Sequence, residues 1–81
     1  MNRYYTEFFA TCPSNQTRVK YMLNIETTSV IMVEEITRVV NGLTTGYHEV
    51  IANKICQALK GRQTLRAHHH GVDIETVRGA R

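Results

Sequence analysis

From Val19 to Ile25 the side chains alternate: Val19, Tyr21, Leu23 and Ile25 fall on one side and Lys20, Met22, Asn24 and Glu26 on the other. A period of two over this length predicts a half-buried β-strand. Upstream, Tyr4 to Cys12 is rich in aromatic and β-branched residues, and Pro13-Ser14-Asn15-Gln16 supplies turn chemistry between the two segments. A turn there pairs residues whose numbers sum to 29, setting Tyr4 against Ile25, Thr6 against Leu23, Phe8 against Tyr21 and Ala10 against Val19. One register therefore gathers the apolar residues on one face, and the chain opens with a β-hairpin.

The middle of the chain has helical spacing. Met32, Val33, Ile36, Val39, Val40 and Leu43 recur on one stripe, with Ser29 as the expected N-cap and Gly42 as a left-handed stop. A second helix is expected from Tyr47 to Leu59, with Ile51, Ile55, Ala58 and Leu59 inward and Gly61 ending it. In the tail, Leu65 and Ala67 are apolar at odd positions and Val72 and Ile74 at even ones, which no single straight strand satisfies. A tight turn at His70-Gly71 resolves the conflict. It pairs positions summing to 141, with Leu65 and Thr76, Ala67 and Ile74 inside, and Arg66 and Glu75, His68 and Asp73 outside. A bulge over His69 to Gly71 in one long strand is the alternative. Either way the expected fold is α+β, in the order β-β-α-α-β-β, as one domain over residues 1–81.

A domain of 81 residues is small enough to bury only about 60% of its unfolded surface, which favours assembly with other copies and disfavours a self-contained cofactor domain. No uncharged stretch is long enough for a membrane-spanning helix, and Met1 to Tyr5 lacks the apolar run of a secretion signal. With two cysteines, Cys12 and Cys56, the expectation is a cytoplasmic chain with reduced thiols. The net charge of +3, from 10 Lys+Arg against 7 Asp+Glu, fits an ordinary mixed surface. The basic tail, Lys60, Arg62, Arg66, Arg78 and Arg81, leaves a small nucleic-acid-binding or interaction protein open as a separate reading.

Several residues carry potential chemistry. Cys12 lies at the end of the first strand, where a thiol could reach a cleft with Arg18 close enough in sequence to favour the thiolate; a small buried hydrophobe is the plainer reading. Cys56 reads as core. Glu49 opens the second helix and is either a first-turn carboxylate stabilised by the dipole or an anchor accepting two parallel hydrogen bonds from a guanine-like edge. His68, His69 and His70 lack a further ligand at metal-site spacing, so no metal is expected, and His68 opposite Asp73 reads as a solvated pair. Glu34 and Glu35 read as a solvated helix face.

The order of elements is that of the tunnelling fold, in which subunits pool their antiparallel sheets into a barrel with two helices on one face of each. Thr11-Cys12-Pro13, Val33-Glu34-Glu35-Ile36, Tyr47-His48-Glu49 and Gly71-Val72-Asp73-Ile74-Glu75 occur in series over Glu7 to Arg78. Together they resemble the QueF nitrile reductases of the queuosine pathway and, more closely, the QueF-like amidinotransferases. The resemblance implies that Cys12 is a nucleophile that attacks the nitrile of 7-cyano-7-deazaguanine to form a thioimide. It implies that Glu49 grips the deazaguanine edge, with Tyr47 and His48 helping to bind and position it.

Two departures shape that expectation. The family carries an aspartate seven residues after the nucleophile, and here that position is Val19, so proton donation falls to His48 or to one of His68 to His70, with His68 and His70 as the candidates. The basic segment that serves NADPH in the reductases is replaced by Val33-Glu34-Glu35-Ile36, which favours the amidine-forming branch and no cofactor. The implied ligand is 7-cyano-7-deazaguanine, free or within tRNA or DNA, bound at interfaces of a homo-oligomer. An NADPH-dependent reductase and a non-catalytic purine- or pterin-binding module are the alternatives.

Overall fold

A computed structural model describes residues 1–79, so Arg81 of the basic tail lies outside the described residues. The chain runs β1 (Asn2–Thr11), β2 (Arg18–Thr27), α1 (Val33–Asn41), α2 (His48–Ala58), β3 (Arg62–His69) and β4 (Val72–Arg78). The strands form one antiparallel sheet in the order β1-β2-β3-β4. Both expected registers are present: Tyr4 pairs with Ile25 and Phe8 with Tyr21 in the first hairpin, and Leu65 with Thr76 and Ala67 with Ile74 in the second.

The second hairpin turns through two residues at positive φ, His70 at 53° and Gly71 at 78°, rather than through a bulge. That backbone twist matches the right-handed twist of the flanking strands, which is why the parity change in the tail resolves as a tight turn.

One face of the sheet is apolar and covered. Leu23, Ile25 and Leu65 meet Ile51 and Ile55 of α2, and all five are at most 2% exposed. Gln63, also 2% exposed, donates its amide N–H to the carbonyls of Leu59 (2.7 Å) and Ile55 (3.4 Å), so it satisfies the end of α2 that the core would otherwise bury unpaired.

The opposite face is polar and banded by cross-strand pairs: Arg3 with Glu26 (3.0 Å), Lys20 with Glu7 (3.4 Å) and Arg66 with Glu75 (3.6 Å). Between these pairs Tyr5, Phe9, Met22 and Val77 remain exposed.

The helices depart from expectation at their ends. α1 begins at Val33 after Met32, not after Ser29. The Tyr4 hydroxyl accepts the Ile31 N–H at 3.0 Å and Ile31 is buried, which holds this stretch out of the helix. Met32 and Val33 are consequently exposed, leaving Ile36 and Val40 as the buried stripe. Gly42 closes α1 with φ −81°, an ordinary helical value, because its N–H simply continues the helical bonding to Arg38 and Val39.

α2 buries Ala52, while Ala58 is exposed and Cys56 half-buried, so the inward stripe runs Ile51, Ala52, Ile55 and on to Leu59. Gly61 does not end α2. Leu59 is already extended, and Gly61, at φ +99°, starts the approach to β3.

Gly61 and Gly71 separate two effects of glycine. A Cβ at Gly71 would meet nothing within 4 Å, whereas one at Gly61 would lie 2.8 Å from the Glu26 carbonyl. Gly71→Ala should cost about 1–2 kcal/mol for the left-handed backbone alone. Gly61→Ala should add a further ~1–3 kcal/mol of overpacking. Urea unfolding of both variants checks this; equal midpoints would contradict it.

Candidate functional site

The end of β1 is stitched to the entry of α2. Thr11 donates its N–H to Thr44 (2.9 Å), and its carbonyl accepts the Gly46 N–H (3.1 Å) and the Thr45 hydroxyl (3.0 Å). Cys12 and Tyr47-His48-Glu49 are thereby brought to the same end of the sheet.

Cys12 is 4% exposed and does not open on a cleft. Its backbone continues the hairpin, with its N–H bonded to Thr17 at 2.8 Å and its carbonyl to Gln16 at 2.9 Å, so the Pro13–Gln16 turn closes over it. The thiol contacts the Ser14 hydroxyl at 3.3 Å. Donation from that hydroxyl and from the Ser14 and Asn15 backbone N–H groups lowers the Cys12 pKa against a smaller opposing effect of burial. Arg18, the cation expected to favour the thiolate, lies instead over the Phe9 ring at 4.5 Å.

Tyr21 joins Cys12 to His48. It stacks on Phe8 with ring centroids 5.2 Å apart and meets the His48 ring at 5.6 Å. Burial raises its phenol pKa, and the nearby Cys12 thiolate raises it further. Sequence reading assigns Tyr21 to the core face and misses its place near the thiol; the pairing of Phe8 with Tyr21, three residue pairs before the strands end at Thr11 and Arg18, is the available signal.

His48 is the first residue of α2 and half-buried, with both ring nitrogens buried and without a hydrogen-bond partner among the described residues. Burial lowers its pKa, Glu49 and the Leu65 backbone oppose that, and Arg78 and His69 add smaller lowering effects. The ring is thus neutral at pH 7, offering one N–H and one lone pair.

Glu49 is exposed, and its Oε1 accepts Arg78 Nη2 at 2.7 Å while Arg78 Nε donates to Asn53 at 3.0 Å. The basic tail is therefore divided. Arg78 lies on the helix side of the sheet against Glu49, and Arg66 lies on the other face against Glu75. Tyr47 is exposed at the N-cap of α2.

The tail histidines separate. His68 sits on the polar face, its Nδ1 2.7 Å from Asp73, away from Cys12. His70 accepts from Asn15 Nδ2 at 2.6 Å and so ties the second hairpin turn to the turn that covers Cys12. His69, between them, bears on His48 and has a buried Nε2 with no partner among the described residues. No group of three His, Cys, Asp or Glu suited to a metal ion occurs among the described residues. No helix among the described residues is long and apolar enough to cross a membrane.

The fold is that of a known enzyme structure. The chain superposes on the crystal structure of the archaeosine synthase QueF-Like in its apo form with a TM-score of 0.69 at 20% identity, over 98% of this chain and 91% of that one. No family model and no curated protein matches the sequence.

His48 makes stability pH-dependent. With its folded pKa below the ordinary 6.5, the unfolded chain binds the proton more readily, so stability is full above about pH 6.5 and falls as pH drops towards the folded value. His48→Phe should flatten that acid-side fall in the thermal midpoint; an unchanged slope between pH 7 and 5 would count against it.

Proposed function

We propose that this protein is a QueF-like enzyme of deazapurine modification that converts the nitrile of 7-cyano-7-deazaguanine to an amidine through Cys12. The observation that carries this is a thiol of lowered pKa at the end of β1 and a half-buried imidazole and glutamate at the entry of α2, drawn to the same end of the sheet by the Thr11 hydrogen bonds, in a fold that superposes on an archaeosine synthase.

A nitrile needs a soft nucleophile and a proton for the developing nitrogen anion. The Cys12 S–H gives its proton to neutral His48, and the thiolate attacks the nitrile carbon. A C–S bond forms, one C–N π pair moves to nitrogen, and that nitrogen takes the proton back from His48. Ammonia or an amine then adds to the thioimide carbon, the C–S bond breaks, and the proton shed by the added nitrogen passes by way of His48 to the leaving thiolate, which restores the Cys12 S–H and releases the amidine. His48 begins and ends neutral, in keeping with its lowered pKa.

Glu49 accepts two N–H groups of the deazaguanine edge, and Tyr47 flanks it. Arg78 takes one lone pair of Oε1, which leaves the second lone pair of that oxygen and Oε2 for the two N–H groups of the edge. His68, paired to Asp73 on the polar face, and His70, bonded to Asn15, stand apart from this proton path. The chain works as one domain, in the cytoplasm, as a homo-oligomer whose sheets close into a barrel. Support for assembly comes from the face opposite the helices, where Tyr5, Met22, Asn24 and Val77 line a broad concavity that contains none of the candidate residues. The base is taken free or within tRNA or DNA.

A purine-binding module without catalysis is favoured by one observation, the 4% exposure of Cys12. In that reading Glu49→Gln abolishes binding in calorimetry and Cys12→Ala leaves it intact.

Intact-mass measurement after mixing with 7-cyano-7-deazaguanine decides between them. The enzyme reading expects a covalent adduct with the wild-type chain and none with Cys12→Ala. Tight binding without an adduct selects the module, and neither binding nor adduct rejects both.

A further inference from the structure

We propose that His69 is a further substrate-contacting residue of the Cys12 site, its Nε2 making with the bound heterocycle the hydrogen bond that it lacks within the protein. The inference rests on the deazaguanine reading above and deepens it.

Five buried side-chain polar atoms have no partner among the described residues: Asn24 Oδ1, Gln63 Oε1, both ring nitrogens of His48, and His69 Nε2. The Gln63 amide is engaged through its nitrogen at the end of α2, and Asn24 lies on the face away from the helices. The other three are imidazole nitrogens at one end of the fold. Buried polar atoms almost always find a partner, and orphans gathered in one place mark a site completed by a ligand.

The sheet register places His69 there. Gln63, Leu65 and Ala67 are buried on the helix side of β3, so strand alternation puts His69 on that side, one step beyond Ala67. Ala67 pairs with Tyr21, whose ring meets His48. His69 is thus next in line past the Tyr21–His48 contact, close enough to bear on the charge of His48.

Its ring is also held from outside. It packs on His70 with centroids 4.2 Å apart, and His70 is bonded to Asn15 in the turn over Cys12. Holding an unpaired nitrogen rigidly in a buried place weakens the fold, which a structural role alone does not explain. A ligand with a donor or acceptor facing Nε2 recovers that loss on binding.

The test is calorimetry with 7-cyano-7-deazaguanine in a Cys12→Ala background, which removes the covalent step. His69→Phe should weaken binding about tenfold or more, while His69→Gln, whose amide reaches about as far as Nε2, should stay within about threefold. The ligand-free thermal midpoint of His69→Phe should be unchanged or raised, because the orphan atom is gone. If His69→Phe fails to fold, His69→Leu serves the same comparison. Binding by the apolar variant within about threefold of its parent overturns the inference, as does equal loss in the Gln variant. Absence of binding in the parent, together with absence of an adduct in the wild-type chain, rejects the underlying reading and this inference with it.

Discussion

Three hydrogen bonds between Thr11 and the segment Thr44 to Gly46 join the end of the first strand to the start of the second helix. The two segments are more than thirty residues apart in the chain, so this contact sets where α2 begins relative to the sheet. With that entry point held, Ile51 and Ile55 land on Leu23, Ile25 and Leu65 to make the core, and His48 and Glu49 reach the end of the sheet that carries Cys12. Core and site thus depend on the same junction.

The electrostatics of the site follow from where burial stops. Cys12 is covered but keeps hydroxyl and backbone donors from the turn that covers it, so its thiolate is favoured. For His48 burial outweighs the opposing Glu49 charge and Leu65 backbone, so its charged form is disfavoured. Glu49 and Arg78, closer to water, pair with each other, and a pair this exposed contributes little to stability, on the order of 0–1 kcal/mol. A thiol inclined to ionise and an imidazole inclined to stay neutral at one end of the sheet are what the proposed addition to a multiple bond would use.

The polar face of the sheet has a different logic. Arg3 with Glu26, Arg66 with Glu75 and His68 with Asp73 occupy directly opposed cross-strand positions, and Lys20 reaches Glu7 on the diagonal, so the arginine, lysine and glutamate charges are matched in place. Of the basic residues of the tail, Arg66 and Arg78 are taken up by Glu75 and Glu49 on opposite faces of the sheet.

Both hairpins, including the two-residue turn at His70-Gly71, were legible from residue order, because strand alternation has a period of two and only one register puts Tyr4, Thr6, Phe8 and Ala10 opposite Ile25, Leu23, Tyr21 and Val19. The position of Cys12 just past the first strand was legible for the same reason, and that of His48 and Glu49 at the entry of α2 from helical spacing. The start of α1 and the end of α2 were not. Ser29 is a good cap by chemistry, but a hydroxyl from Tyr4, 27 residues away, holds Ile31 instead. Nor could local pattern distinguish His69 from His68 and His70, or Tyr21 from its apolar neighbours. Each of those differences arises from contacts made across the sheet, where burial and the loss of a partner depend on segments far apart in sequence.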